Sequence, residues 1–147
     1  MQLVCQRDPR WANKKIGKSN ETVGAKGCTI SDVSMSLSWA GCFKDPGFLA
    51  KYLRFTASGL IIWASIEEKT CMKFIWRGYK SNFKQSEVDE ALKSSKKTCL
   101  LQVDGGAHWV LGIYRIPGTK KYWVADPWTG SRKFYSGAMG YAILAKK

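Results

Sequence analysis

The fold turns on one stretch: His108-Trp109-Val110-Leu111-Gly112-Ile113-Tyr114-Arg115-Ile116, then Pro117-Gly118-Thr119-Lys120, then Tyr122-Trp123-Val124-Ala125. Two runs rich in β-branched and aromatic residues around a Pro-Gly turn predict an antiparallel hairpin. Upstream, Cys99-Leu100-Leu101-Gln102-Val103 reads as a buried strand. Downstream, Phe134-Tyr135 and Tyr141-Ala142-Ile143-Leu144 supply further strands, so the C-terminal third is β-rich.

The other side of this hairpin is helical. The first 27 residues, with Gly17, Asn20, Gly24 and Gly27, hold no sustained period and read as loop. From Thr29, Ile30, Val33, Leu37 and Ala40 follow helical spacing, with Ser31, Ser34 and Ser38 on a different side and Gly41 to close. Thr29 with Asp32 resembles a capping box, which puts Cys28 at or just before the helix N-terminus. Asp45-Pro46 starts a second helix with Phe48, Leu49, Tyr52, Leu53 and Phe55 as its apolar side. Ser86 with Asp89 signals a third, with Val88, Ala91 and Leu92 inside, and Met72-Lys73-Phe74-Ile75-Trp76 reads as a short strand. Helices first and an antiparallel sheet second predict an α+β fold in one domain, residues 1–147.

Composition narrows the function classes. No apolar run approaches the ~18 residues of a membrane span; stretches such as Gly59-Leu60-Ile61-Ile62-Trp63-Ala64 are core-sized. The N-terminus lacks an apolar signal segment, so the expectation is a chain without a signal peptide, cytoplasmic as synthesised. Twenty-four Lys and Arg against eleven Asp and Glu give +13, spread along the chain rather than blocked. Such a surface attracts polyanions: nucleic acid, anionic lipid or acidic cell-wall polymers. Five cysteines with wide spacing, no CxxC pair and a single histidine argue against zinc and for free thiols in a reducing compartment. No metal and no cofactor are expected.

One of those thiols has the surroundings of a nucleophile. Cys28 at a helix N-terminus has its thiolate favoured by the dipole and the unpaired N–H groups. Gly27 permits close backbone approach by a substrate. His108, after Asp104-Gly105-Gly106-Ala107, stands at the head of a strand to act as base, and Asp126 ends the next strand to orient the imidazole. Strand parity tests this. A four-residue turn pairing Ile116 with Lys121 points His108 and Asp126 to opposite faces; a five-residue connection, or one bulge, brings them to one face. In that second register Val110 faces Asp126, His108 faces Trp128, and His108 and Asp126 are diagonal neighbours at roughly 7–8 Å.

Gln6, Trp11, Gly27-Cys28, His108-Trp109-Val110-Leu111 and Asp126-Pro127-Trp128-Thr129-Gly130 together resemble the bacteriocin-leader (double-glycine) peptidase-like branch of papain-like cysteine peptidases. The resemblance covers roughly residues 4–130. It implies a papain-like fold, with N-terminal helices packed on a C-terminal antiparallel sheet. It also implies Cys28 as nucleophile, His108 as general base and acid, Asp126 as orienting acid, and Gln6 as a side-chain oxyanion donor beside the N–H of Cys28. Gly27 and Trp109 fall beside the substrate. Gly27-Cys28-Thr29-Ile30 replaces the Asp-Cys-Gly-Pro of leader peptidases and looks more like stand-alone bacterial and phage relatives. Gln6 lies 22 residues before Cys28, farther than in leader peptidases, and Gln2 is the only other upstream glutamine. The expected activity is hydrolysis of a peptide or amide bond, with the peptide part of bacterial peptidoglycan as a phage-lysin-like substrate.

Two other readings stand beside it. Lys73-Phe74-Ile75-Trp76-Arg77-Gly78-Tyr79-Lys80 and Arg132-Lys133-Phe134-Tyr135 interleave aromatic and basic residues, as a single-stranded nucleic-acid groove does. The third reading is an inactive relative that keeps the cleft to bind a partner.

Overall fold

The computed structural model describes residues 1–147 as five α-helices and a six-stranded antiparallel sheet. The helices are α1 (Val23–Lys26), α2 (Cys28–Trp39), α3 (Pro46–Tyr52), α4 (Ala64–Lys69) and α5 (Gln85–Lys93). The strands are β1 (Met72–Gly78), β2 (Lys97–Val103), β3 (His108–Arg115), β4 (Lys121–Asp126), β5 (Ser131–Ser136) and β6 (Gly140–Lys146), in the spatial order β1-β6-β2-β3-β4-β5. No helix is long and apolar enough to cross a membrane.

The sheet is the middle layer. Its strands alternate, so Leu100, Leu111, Ala125, Ala142 and Leu144 join the core built with α2 and α3, while Leu101, Val110, Val124 and Ile143 join a second core with Val88 and Ala91 of α5. A sheet covered on both faces explains why β2 and β6 read as continuous apolar runs. The sequence order of helices then sheet is only approximate: β1 precedes α5 and lies at the sheet edge against β6.

The β3–β4 hairpin resolves the parity question. The N–H of Ile116 donates to the Lys121 carbonyl at 2.9 Å, and Arg115 pairs with Tyr122. A bulge between Gly112 and Tyr114 then shifts the ladder by one, so that Gly112 pairs with Val124 and Leu111 with Ala125. One step further, Val110 stands opposite Asp126, the register that brings His108 and Asp126 to one face.

Several local expectations change. Residues 1–27 include a short helix, α1, capped by Thr22 and closed by Gly27. The N-cap of α2 is Gly27, with no side-chain cap; Asp32 is no capping residue but is buried, as are Ser31, Ser34 and Ser36. This helix is enclosed nearly all round, and two of its serines bond inward, Ser34 to the Lys44 carbonyl at 2.6 Å and Ser36 with Thr98 at 3.0 Å, while the Ser31 hydroxyl has no partner. Asp45 caps α3 as expected, accepting from the Phe48 N–H at 2.8 Å, but Phe48 and Tyr52 lie exposed against each other. Ser86 lies inside α5, and α4 escaped the sequence reading. Cys42 and Cys71 form a disulfide between the end of α2 and the start of β1, leaving Cys5, Cys28 and Cys99 free and correcting the expectation of five free thiols.

Gly27 also has a different reason from the one expected. It is buried at the α1–α2 junction, where a Cβ would come within 2.4 Å of the Val23 carbonyl oxygen and 2.9 Å of its Cα. The missing side chain makes room for the neighbouring helix rather than for a substrate. Gly27→Ala is therefore expected to lower stability by about 1–3 kcal/mol, as overpacking does. Urea unfolding measures it, and an unchanged midpoint would show the junction to be loose.

Candidate active site

Cys28 is the first residue of α2, where backbone N–H groups lack intrahelical partners. The tight 3₁₀ turn Asp104–Gly106 delivers His108, with Asp104, Gly105 and Gly106 all at positive φ (52°, 65° and 98°), a path that glycine follows without steric cost. Asp126 ends β4, and its Oδ1 lies 2.7 Å from Nε2 of His108. Nε2 is thereby engaged by the carboxylate, and Cys28 lies close enough to the ring to act on the His108 proton. Cys28, His108 and Asp126 are thus brought together.

The electrostatics follow from these contacts. Burial alone would push the Cys28 thiol up; the hydrogen bond and charge of His108, the Trp109 N–H and the Thr29 hydroxyl outweigh it and hold the thiol below its ordinary value. For His108, burial acts downward, but Asp126 and Cys28 raise it to about 9. Burial also disfavours the Asp126 carboxylate, yet bonds from His108, Lys133 and the Trp128 N–H keep it well below the usual range. Both shifts act in the direction of a thiolate–imidazolium pair.

Asp126 has further supports that the sequence reading missed. Lys133 Nζ lies 2.7 Å from Oδ2, the Tyr135 hydroxyl donates to the same oxygen at 3.3 Å, and the Trp128 N–H donates to Oδ1 at 2.9 Å. Lys133 and Tyr135 alternate on one face of β5, and Val124 pairs with Lys133, two residues from Asp126. That period of two was the available signal.

Gln6 is nearly fully buried, and its N–H donates to the Pro127 carbonyl at 2.8 Å, which ties it to the Asp126 turn. Its side-chain Nε2 donates to the Gly24 carbonyl at 3.1 Å, leaving one amide hydrogen for another acceptor, while Oε1 has no partner. Trp109 lies half-buried, its ring 5.5 Å from that of Trp63. No group of His, Cys, Asp and Glu residues could hold a metal ion.

No protein-family model matches this chain, and no curated protein matches it.

A second carboxyl lies beneath the site. Asp32, one helical turn after Cys28, is wholly buried with neither oxygen hydrogen-bonded. Burial, followed by the charges of Cys28 and Asp126, raises it well above the ordinary carboxyl value. The four-residue interval from Cys28 was the signal for this placement.

Two outcomes follow. Iodoacetamide near pH 6 should label Cys28 ahead of Cys5 and Cys99, because Cys99 is buried with its thiol pushed far up; preferential labelling of either other thiol, read by mass-spectrometric mapping, would count against the thiolate. Asp32 is raised in the folded state, so it subtracts stability as pH climbs from its unfolded value of ~3.9 toward its folded one. The stability of Asp32→Asn relative to wild type should therefore rise as pH climbs above the ordinary carboxyl range, by up to about 1.4 kcal/mol per pH unit. A pH-independent difference in urea midpoints would mean that Asp32 is ionised normally.

Proposed function

We propose that this protein is a papain-like cysteine hydrolase that cuts a peptide amide bond through Cys28, His108 and Asp126. The observation that carries the reading is the 2.7 Å contact between His108 Nε2 and Asp126, beside Cys28 at the start of α2. The Cys28 thiolate attacks the carbonyl carbon, and the C=O electrons move to oxygen. The N–H of Cys28 and the remaining amide hydrogen of Gln6 stabilise that oxyanion. Collapse expels the amine, which takes the Nδ1 proton of His108 and leaves a thioester. Neutral His108 then removes a proton from water as it adds to the thioester, and collapse releases the acid and restores the thiolate. Asp126 stays ionised and fixes the ring, while Lys133 balances its charge.

The substrate we put forward is the peptide part of bacterial peptidoglycan, because a net charge of +13 favours capture on an anionic wall. A specific feature favours a second reading, polyanion binding of the nucleic-acid kind: Lys14, Lys15, Lys18, Lys51 and Arg54 line a cavity of about 910 Å3 with no acidic residue among its walls.

The two are separable. Purified peptidoglycan should gain amino groups without new reducing ends. Cys28→Ala should abolish that release, and Asp126→Asn should slow it roughly 10²–10⁴-fold. Activity requires Cys28 deprotonated and His108 protonated, so it should rise below the ordinary thiol range and fall again near pH 9 as His108 loses its proton. Reducing ends without amino groups, or no hydrolysis together with DNA binding that weakens at a slope of about −0.7 per phosphate contact and ignores Cys28→Ala, would overturn the hydrolase.

A further inference from the structure

A cleft of about 460 Å3 opens beside the nucleophile, walled by Thr29 and Ile30, which follow Cys28, and by Trp109, which follows His108. Two cations, Lys26 and Arg77, line it, and no carboxylate does. Arg10, Arg54 and Arg115 each pair with an acid, Asp8, Glu68 and Asp89. Arg7, Arg77 and Arg132 have no such partner, and of these three only Arg77 is half-buried. It donates to the Gly78 carbonyl and, at 3.1 Å, to Gln102 Oε1, which leaves other guanidinium N–H groups without a protein acceptor. Its carbon lies 4.0 Å from the centre of the Tyr79 ring and 4.8 Å from that of Trp109. Gln102 is itself held, donating to the Gly106 carbonyl at 3.2 Å.

A half-buried cation without a counter-charge is a costly arrangement, and burial does lower the Arg77 pKa. Stacking on two rings and the bond to Gln102 hold the guanidinium in one orientation, so an anion meets an arranged set of N–H groups. That arrangement suits the planar fork of a carboxylate, and the aromatic walls suit the body of a peptide.

We propose that Arg77, set by Tyr79, Trp109 and Gln102, is a carboxylate-recognition site that selects peptides carrying a free carboxylate near the bond to be cut. The selectivity for cleavage rests on the hydrolase reading above; the binding site does not. The carboxylate comes from an acidic side chain or from a chain end, and one probe set separates them. It comprises three acetylated tripeptides: a central glutamate with an amidated end, a central glutamine with a free end, and a central glutamine with an amidated end.

Binding to the intact chain carrying Cys28→Ala is read by tryptophan fluorescence. At least one carboxylate peptide should bind about tenfold more tightly than the neutral one, the size expected of a charge-assisted hydrogen-bonded pair. Arg77→Gln should erase that preference, and Arg77→Lys, which keeps the charge but not the fork, should restore only part of it. Equal binding of all three, no binding of any, or a preference that survives Arg77→Gln overturns the site. If Arg77→Gln does not fold, an undiminished preference in Arg77→Lys overturns the fork. A preference lost with Arg77, in a chain that hydrolyses no peptide, keeps the site and removes the hydrolase. Hydrolysis at equal kcat/KM with and without the carboxylate does the reverse.

Discussion

Side chains on a strand alternate, so the face His108 occupies is set by counting residues back from the β3–β4 turn. With the four-residue turn that Ile116 and Lys121 close, an unbroken ladder sends His108 and Asp126 to opposite faces. The extra residue between Gly112 and Tyr114 reverses that parity. The rest of the site presupposes it: the 2.7 Å contact between His108 and Asp126, and the Lys133 ammonium that reaches the same carboxylate from β5. A bulge adds twist and bends the strand, which also helps a flat sheet present its end to a helix. Gly112, Ile113 and Tyr114 contribute no side chain to the site, yet they determine whether His108 and Asp126 meet.

The two aspartates near the site are driven in opposite directions by their surroundings. Asp126 has four hydrogen-bonding or ionic partners, His108 and Lys133 among them, and they hold its carboxyl well below the usual range. Asp32, buried below with no partner for either oxygen, is raised well above that range by burial and by the charges of Cys28 and Asp126. Environment rather than residue type sets them apart.

The sequence made the hairpin, the C-terminal strands and the Asp45-Pro46 helix start legible, because each has a local cause: alternation, turn residues and a side-chain cap. Cys28, His108 and Asp126 were legible as a set, and parity arithmetic stated the condition for their meeting. That a bulge, and not a longer turn, meets it was not legible, since no residue between Gly112 and Tyr114 demands one. The burial of Asp32 was hidden for another reason. Thr29 and Asp32 stand at capping spacing, but Gly27 already begins the helix, so local propensity yielded to tertiary enclosure. Gly27 misled similarly: a glycine before a nucleophile suggests substrate access, whereas its neighbour in space is Val23. The Cys42–Cys71 pair is a tertiary fact with no sequence signature at its separation of 29 residues.

Trp109 follows His108 directly, so the strand that presents the imidazole also sets the wall of the adjoining cleft. Its ring lies against Trp63 and beneath Arg77, and its peptide N–H is one of the groups that lower the Cys28 thiol. Trp63 stacks in turn on Phe74 of β1, so the ring is braced by the far edge of the sheet. Under the hydrolase reading, the wall that would meet a substrate and a group that favours the thiolate therefore belong to one residue, and β3 fixes both by placing a single position of the chain.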